Sequence, residues 1–263
     1  MNPIASLITQ NPMFWRELRS RWPPKRFWLL PAITWGTAVG GFGTIVLLVA
    51  VLNPQLSDLA EVAPLVGGLL TSGAAVALTL GVGPALFAST IAIEREHQRL
   101  EMLTLTRLTS LEIIAGKWAA NAAPLFITIV PLGVAAAGFA FVGMAAHNAF
   151  GEEGVGLLLM AQAINAPLLA LMVSCIGTFF SAACATVRAA TVWSFAASLG
   201  IYLLTKHGIY LLLLFDVPVG PEFDLNPAYF ARLLIPWAIW VVISVAAMAG
   251  AYLMLAREAE RRR

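Results

Sequence analysis

The sequence predicts an all-α integral membrane protein of six transmembrane helices, and three observations carry that prediction. Of 263 residues, 60% are hydrophobic and 11% are charged, where a soluble domain averages roughly 45–50% and about 25%. Sixteen basic and fourteen acidic side chains cannot clothe a soluble surface of this length, so apolar surface faces something other than water. Second, charge-free stretches recur that exceed the roughly 20 residues needed to cross about 30 Å of hydrocarbon. Third, the basic residues gather on alternate connections between those stretches. The net charge of +2, with no basic run interleaved with aromatics outside the termini, argues against nucleic acid as a partner. Cys175 and Cys184 lie in apolar sequence and supply neither a disulfide framework nor a four-ligand zinc site.

Residues 1–27 precede the first span. Asn2-Pro3 and Asn11-Pro12 each set a capping residue before a proline suited to the first helical position, so each predicts a helix start. In the second helix Phe14, Trp15, Leu18 and Trp22 form the expected apolar face, while Arg16, Glu17, Arg19 and Ser20 are polar; Pro23 and Pro24 end it. Such a helix is expected to lie in the lipid headgroup plane, as an anchor, a docking surface for a partner, or both. This segment is too polar and too long, and the span after it too extended, for a cleaved secretory signal.

The spans follow from the charges. Residues 27–57 hold span one, 62–93 span two, 118–148 span three and 154–187 span four, all free of Asp, Glu, Lys and Arg. Residues 189–205 are short for span five, which either continues past Lys206 into HGIYLLLLF or breaks there. Residues 206–232 are expected to hold turns and short outer helices, with Asn226-Pro227 starting a helix that feeds span six at 235–256. The whole of 1–263 reads as one transmembrane domain: the amphipathic segment 1–27, a bundle over 28–256 and a basic tail over 257–263.

Segments 1–27, 93–117, 186–191 and 257–263 hold 14 of the 16 Lys and Arg, while the acidic residues divide seven and seven. The positive-inside rule counts basic residues, and they place both termini in the cytoplasm. The expected location is the cell (inner) membrane.

The inner loop at 93–117 carries eight charges in 25 residues. Thr109 with Glu112 fits a capping box, so a helix should begin near Ser110 and run into span three. Leu100, Leu103 and Leu108 line one side of the stretch before it, among Glu94, Glu96, Arg99, Glu101 and Arg107. The mixture suits either an exposed connection or a surface on which a partner packs.

This loop resembles the signature of the type-2 ATP-binding-cassette exporter permeases. The matching residues are Glu94-Arg95-Glu96, Leu100-Glu101, Thr106-Arg107-Leu108-Thr109, Glu112-Ile113 and Gly116-Lys117. The opening NPMFWRELRSR at 11–21 and FFSAACATVRAA at 179–190 are similar to segments of the same family, and the six-span order fits over essentially the whole chain. A Gly-Thr pair common in the family is replaced by Gln98-Arg99, and a proline after Thr106 by Arg107.

The resemblance implies a permease subunit that forms the translocation path as a dimer, homo- or heteromeric, with ATP and Mg bound on a separate ATPase subunit. It implies no catalytic or metal-binding residue and no cofactor held by this chain. Gly116-Lys117 lacks the glycine loop and following hydroxyl of a P-loop. The coupling helix would lie over 94–109, with 11–21 beside it and Arg188 in a smaller contact. The implied interface comprises Glu94, Arg95, Glu96, Arg99, Leu100, Glu101, Leu103, Arg107, Glu112, Lys117 and Arg188, and the interfacial helix Trp15, Arg16, Glu17, Arg19 and Trp22. Membrane lipid is the remaining partner.

Within the spans, Gly68, Ser72, Thr79, Gly83 and Thr90 fall within about 60° on one helix face. This stripe suits close helix packing or the lining of a path. Asn121, Gln162 and Asn165 suit interhelical hydrogen bonds or substrate contact. No charged residue lies clearly inside a span, which argues against a proton-coupled carrier. No Gly-x-Ser-x-Gly or His-Glu-x-x-His motif suggests a protease, and His147 and His207, near acidic residues, lack ligand spacing. A non-transporting membrane anchor and an ATP-independent channel or carrier are the alternatives.

Overall fold

The computed structural model describes residues 11–23, 27–29, 31–36, 38, 40, 59–99, 108–146, 155–208 and 227–260. Most of span one, the loop residues 100–107 and the outer segment 209–226 therefore lie outside the described residues. The described elements are all helical: α1 (Pro12–Arg21), α2 (Leu59–Glu96), α3 (Ser110–Ala146), α4 (Val155–Ala183), α5 (Val187–Leu203) and α6 (Pro227–Glu260). Five of them, α2 to α6, contain stretches long and apolar enough to cross a bilayer. This is an all-α membrane protein.

The helix starts follow the capping chemistry. Asn11 caps α1, its side chain accepting from the Met13 amide, with Pro12 in the first turn. Thr109 and Glu112 form the reciprocal capping box of α3: the Thr109 amide donates to Glu112 Oε2 at 2.7 Å, and the Glu112 amide to Thr109 Oγ1 at 3.3 Å. α3 thus starts at Ser110 and continues unbroken through the third span, past Pro124 and Pro131. Thr186 caps α5. Span five does not break at Leu203 but widens into a π-helical turn, Leu204–Gly208, that carries Lys206. α6 begins at Pro227 and runs as a single helix through span six.

Helices α2, α3 and α4 pack on one another, α5 lies against α2 and α4, α6 against α4, and α1 against α3. One core of Phe87, Leu125, Ile129, Leu132 and Ala170 joins α2, α3 and α4, and a second gathers Leu169, Met172, Val173 and Trp240 between α4 and α6. Glycine sets the closest approach between α2 and α4, since a Cβ on Gly177 would lie 2.5 Å from Phe87 Cβ. In a bilayer such contacts supply association where burial of apolar surface from water cannot.

The small-residue stripe of α2 packs within this chain. A Cβ on Gly83 would lie 2.9 Å from Val173 of α4, and one on Gly68 3.8 Å from Phe139 of α3. The hydroxyls of Ser72 and Thr79 donate to carbonyls one turn back in their own helix, so backbone already takes those protons.

Candidate functional site

Six helix ends meet where the basic segments converge: all of α1, the C-termini of α2, α4 and α6, and the N-termini of α3 and α5. Three consecutive residues at the end of α2 reach in three directions. Glu94 Oε1 accepts from Lys117 Nζ of α3 at 3.0 Å. Arg95 donates to the carbonyls of Ala182 and Cys184 at the end of α4, each at 2.8 Å, and pairs with Glu258 of α6 at 2.7 Å. Glu96 Oε2 accepts from the Val187 amide at 3.3 Å, at the N-terminus of α5, where the helix dipole favours an anion. One tripeptide thereby ties α2 to α3, α4, α5 and α6.

Lys117 extends the network to α1. Its ammonium lies 2.7 Å from Glu17 Oε1, and Glu17 Oε2 lies 2.9 Å from Arg21 Nε. Arg21 also donates to Ser89 Oγ of α2 at 3.3 Å. Alternating signs along Arg21, Glu17, Lys117 and Glu94 leave no net charge, which is what a buried cluster requires. Burial pushes the Glu17 carboxyl up, but Lys117 and then Arg21 outweigh it and hold it below the usual carboxylate range.

Two expectations change here. Lys117, expected to face a partner, is 1% exposed and faces its own bundle. It also sits seven residues into α3, roughly 10 Å from that helix's start. The reason is the early start of α3 at Ser110, which draws Lys117 inside, where two carboxylates neutralise it.

The second concerns α1. Its buried side is Asn11, Met13 and Glu17, and the Phe14, Trp15, Leu18 and Trp22 face is only partly covered, with Trp15 exposed. Glu17, read as a polar outward residue, turns in to meet Lys117. Asn11 Nδ2 donates to the Glu112 carbonyl, Glu17 meets Lys117, and Trp22 Nε1 donates to Asn121 Oδ1 at 3.5 Å. These pairs advance together along both chains, so α1 runs alongside the first turns of α3 in the same direction. Gly116 makes the seat: a Cβ there would lie 2.9 Å from Asn11 Nδ2 and 3.1 Å from Met13 Cβ. Met13, Ile113 and Leu108 add the apolar contact.

Of the remaining predicted residues, Arg16, Arg19, Arg99 and Arg188 are exposed. Leu100, Glu101, Leu103 and Arg107 lie outside the described residues, as does the side chain of Gln162. Asn121 is buried and donates to Thr90 Oγ1 at 3.3 Å, and Asn165 is half-buried on α4. Gln98 holds a left-handed backbone, φ 57°. Its amide donates to the Arg95 carbonyl and the Arg99 amide to that of Glu94, the double closure of a Schellman cap.

Sequence reasoning missed Ser89, Gly116, Ser181 and Glu258. Ser181 Oγ of α4 accepts from the amides of Ile91 and Ala92 in α2 at 2.6 and 2.9 Å. A serine among alanines carries no signal of that role. Glu258 was legible only as part of a charged tail, and Gly116 only as half of Gly-Lys. No protein-family model matches the chain, and no curated protein matches it.

Proposed function

We propose that the chain is the permease subunit of an ATP-driven exporter of the type-2 ATP-binding-cassette kind, dimerising with a like or unlike subunit. ATP and Mg are bound by a separate cytoplasmic ATPase, and both termini face that ATPase from the inner membrane. The observation that carries the reading is the organisation of residues 94–117. A spanning helix ends in Glu-Arg-Glu, stops at a left-handed residue where the family has glycine, and restarts at a Thr-x-x-Glu cap leading to Gly-Lys. A connection of this kind, anchored at both ends and charged between them, suits docking that fixes partner and register.

Exposure divides the residues of this end between two roles in the proposed coupling. Glu94, Arg95, Glu96 and Lys117 are engaged by other helices of the same chain, so they transmit. Arg99, exposed at the same end, together with the loop residues Leu100, Glu101, Leu103 and Arg107, makes the contact.

The test is purification of the tagged full chain from its native membranes, followed by reconstitution. A P-loop ATPase should co-purify, its ATP turnover in vesicles should depend on the permease, and Arg99→Glu with Glu101→Arg should weaken both. Absence of such an ATPase overturns the reading. An ATPase that binds but turns over ATP at the same rate without the chain establishes a membrane anchor instead, and solute movement without nucleotide establishes a channel or carrier.

A further inference from the structure

The folded chain sorts its charges at the helix-end network. Of the six described acidic residues on the basic side of the sequence, five are engaged within the chain: Glu17, Glu94, Glu96, Glu112 and Glu258. Among the eight basic residues described there, three, Arg21, Arg95 and Lys117, are used to hold them. Arg16, Arg19, Arg188 and Arg257 are exposed, and none pairs with a carboxylate among the described residues. Among the described residues, exposed arginines thus outnumber the exposed carboxylates Glu96 and Glu260, which leaves a cationic rim.

The rim has a register with the apolar surface. On α5, Arg188 stands one turn outside Val192 and two turns outside Phe195, 65% and 43% exposed. On α6, Arg257 stands one turn outside Leu253 and Met254, 52% and 40% exposed. On α1, Arg19 follows the exposed Trp15 by one turn, with Arg16 beside it. Exposed apolar side chains that far inside a helix end face acyl chains. An arginine one turn further out then lies at the depth of the phosphates, with Trp15 at the same interface.

We propose that Arg16, Arg19, Arg188 and Arg257 form a collar that selects anionic phospholipid headgroups on the leaflet at this end of the bundle. Guanidinium binds phosphate through paired N–H donors. Preference for an anionic over a zwitterionic headgroup follows because Glu17, Glu94 and Glu258 are neutralised within the chain by Lys117, Arg21 and Arg95, so that among the described residues exposed arginines outnumber exposed carboxylates. Through Glu17 and Lys117, lipid held on α1 is fastened to α2 and α3.

The test uses the full chain in nanodiscs of phosphatidylcholine mixed with phosphatidylglycerol, with retained lipid counted by native mass spectrometry and thermal midpoints measured in parallel. Wild type should retain phosphatidylglycerol preferentially and melt higher in its presence. The preference should fall by roughly fivefold for each arginine changed to glutamine, less in high salt. The pairs Arg16→Gln/Arg19→Gln and Arg188→Gln/Arg257→Gln are read separately, so that one unstable variant does not hide the other. Lys206→Gln, at the opposite end, should leave the preference intact. Equal retention of the two lipids by wild type overturns the collar. So does full preference in both arginine pairs, including the case where those pairs lose only an acidic protein partner. The measurement needs no ATPase, so its outcome is separate from that of the exporter reading.

Discussion

At the scale of single residues, glycine and the left-handed backbone make opposite demands in neighbouring places. Gln98 pays the steric cost of φ 57° that a glycine would not. Gln98→Gly should raise stability by about 1 kcal/mol, read as a higher unfolding midpoint; an unchanged or lower midpoint means the cap is not under strain. Gly177 makes the reverse case, since its added methyl would meet Phe87 Cβ, part of a rigid stem. Gly177→Ala should cost about 1–3 kcal/mol. Gly81→Ala, with nothing within 4 Å of its added Cβ, should be neutral or stabilising by up to about 1 kcal/mol. Equal effects at the two glycines would refute the packing argument. Asn11, Thr109 and Glu112 were legible because a cap is local: acceptor and amide lie within three residues. Gly116 and Ser181 were not, because what they touch is about 100 and 90 residues away in the chain.

At the scale of elements, α1 shows how far a hydrophobic pattern can mislead. Its start, end and amphipathic character follow from Asn11, the two prolines and the aromatic spacing, but its seating does not. A carboxylate turned into the bundle wins over Trp15 because Lys117 waits there, and no pattern within α1 reports Lys117. The attachment is therefore sensitive to pH. The folded-state pKa of Glu17 is lowered, so its contribution is present above the ordinary carboxyl pKa of about 4.3 and is lost as pH falls through the depressed value. Hydrogen exchange along α1 should stay slow at neutral pH and quicken only in acid below that range. Glu17→Gln should make α1 exchange fast at neutral pH and remove that acid step. Removing Lys117 instead leaves two carboxylates facing one another, so Lys117→Met should destabilise by about 3–5 kcal/mol, more than Glu17→Gln. Indistinguishable losses in the two variants would mean that Lys117 is not the centre of the cluster.

At the scale of the molecule, composition and charge placement were enough to read an all-α membrane protein, because the bilayer demands satisfied backbone and apolar length whatever the tertiary contacts. What could not be read is that Glu94, Arg95 and Glu96 are engaged by four other helices, since a charged tripeptide in a loop is as well suited to a partner as to its own bundle. The distinction decides what these residues do in the proposed exporter. If they are docking contacts, losing one weakens association; if they transmit, association survives while communication between the loop and the spans is lost. Arg95 separates the cases, because its guanidinium is already used by Ala182, Cys184 and Glu258. Arg95→Ala removes two charge-assisted bonds to carbonyls and one ion pair, and should lower stability by about 2–3 kcal/mol. In vesicles with the ATPase, it should leave association near the wild-type level while abolishing the dependence of ATP turnover on transported solute. Arg99→Glu, on the exposed side of the same cap, should weaken association itself. Loss of association in Arg95→Ala at a temperature where the variant remains folded would return the tripeptide to the docking surface and leave the bundle without its transmitting link.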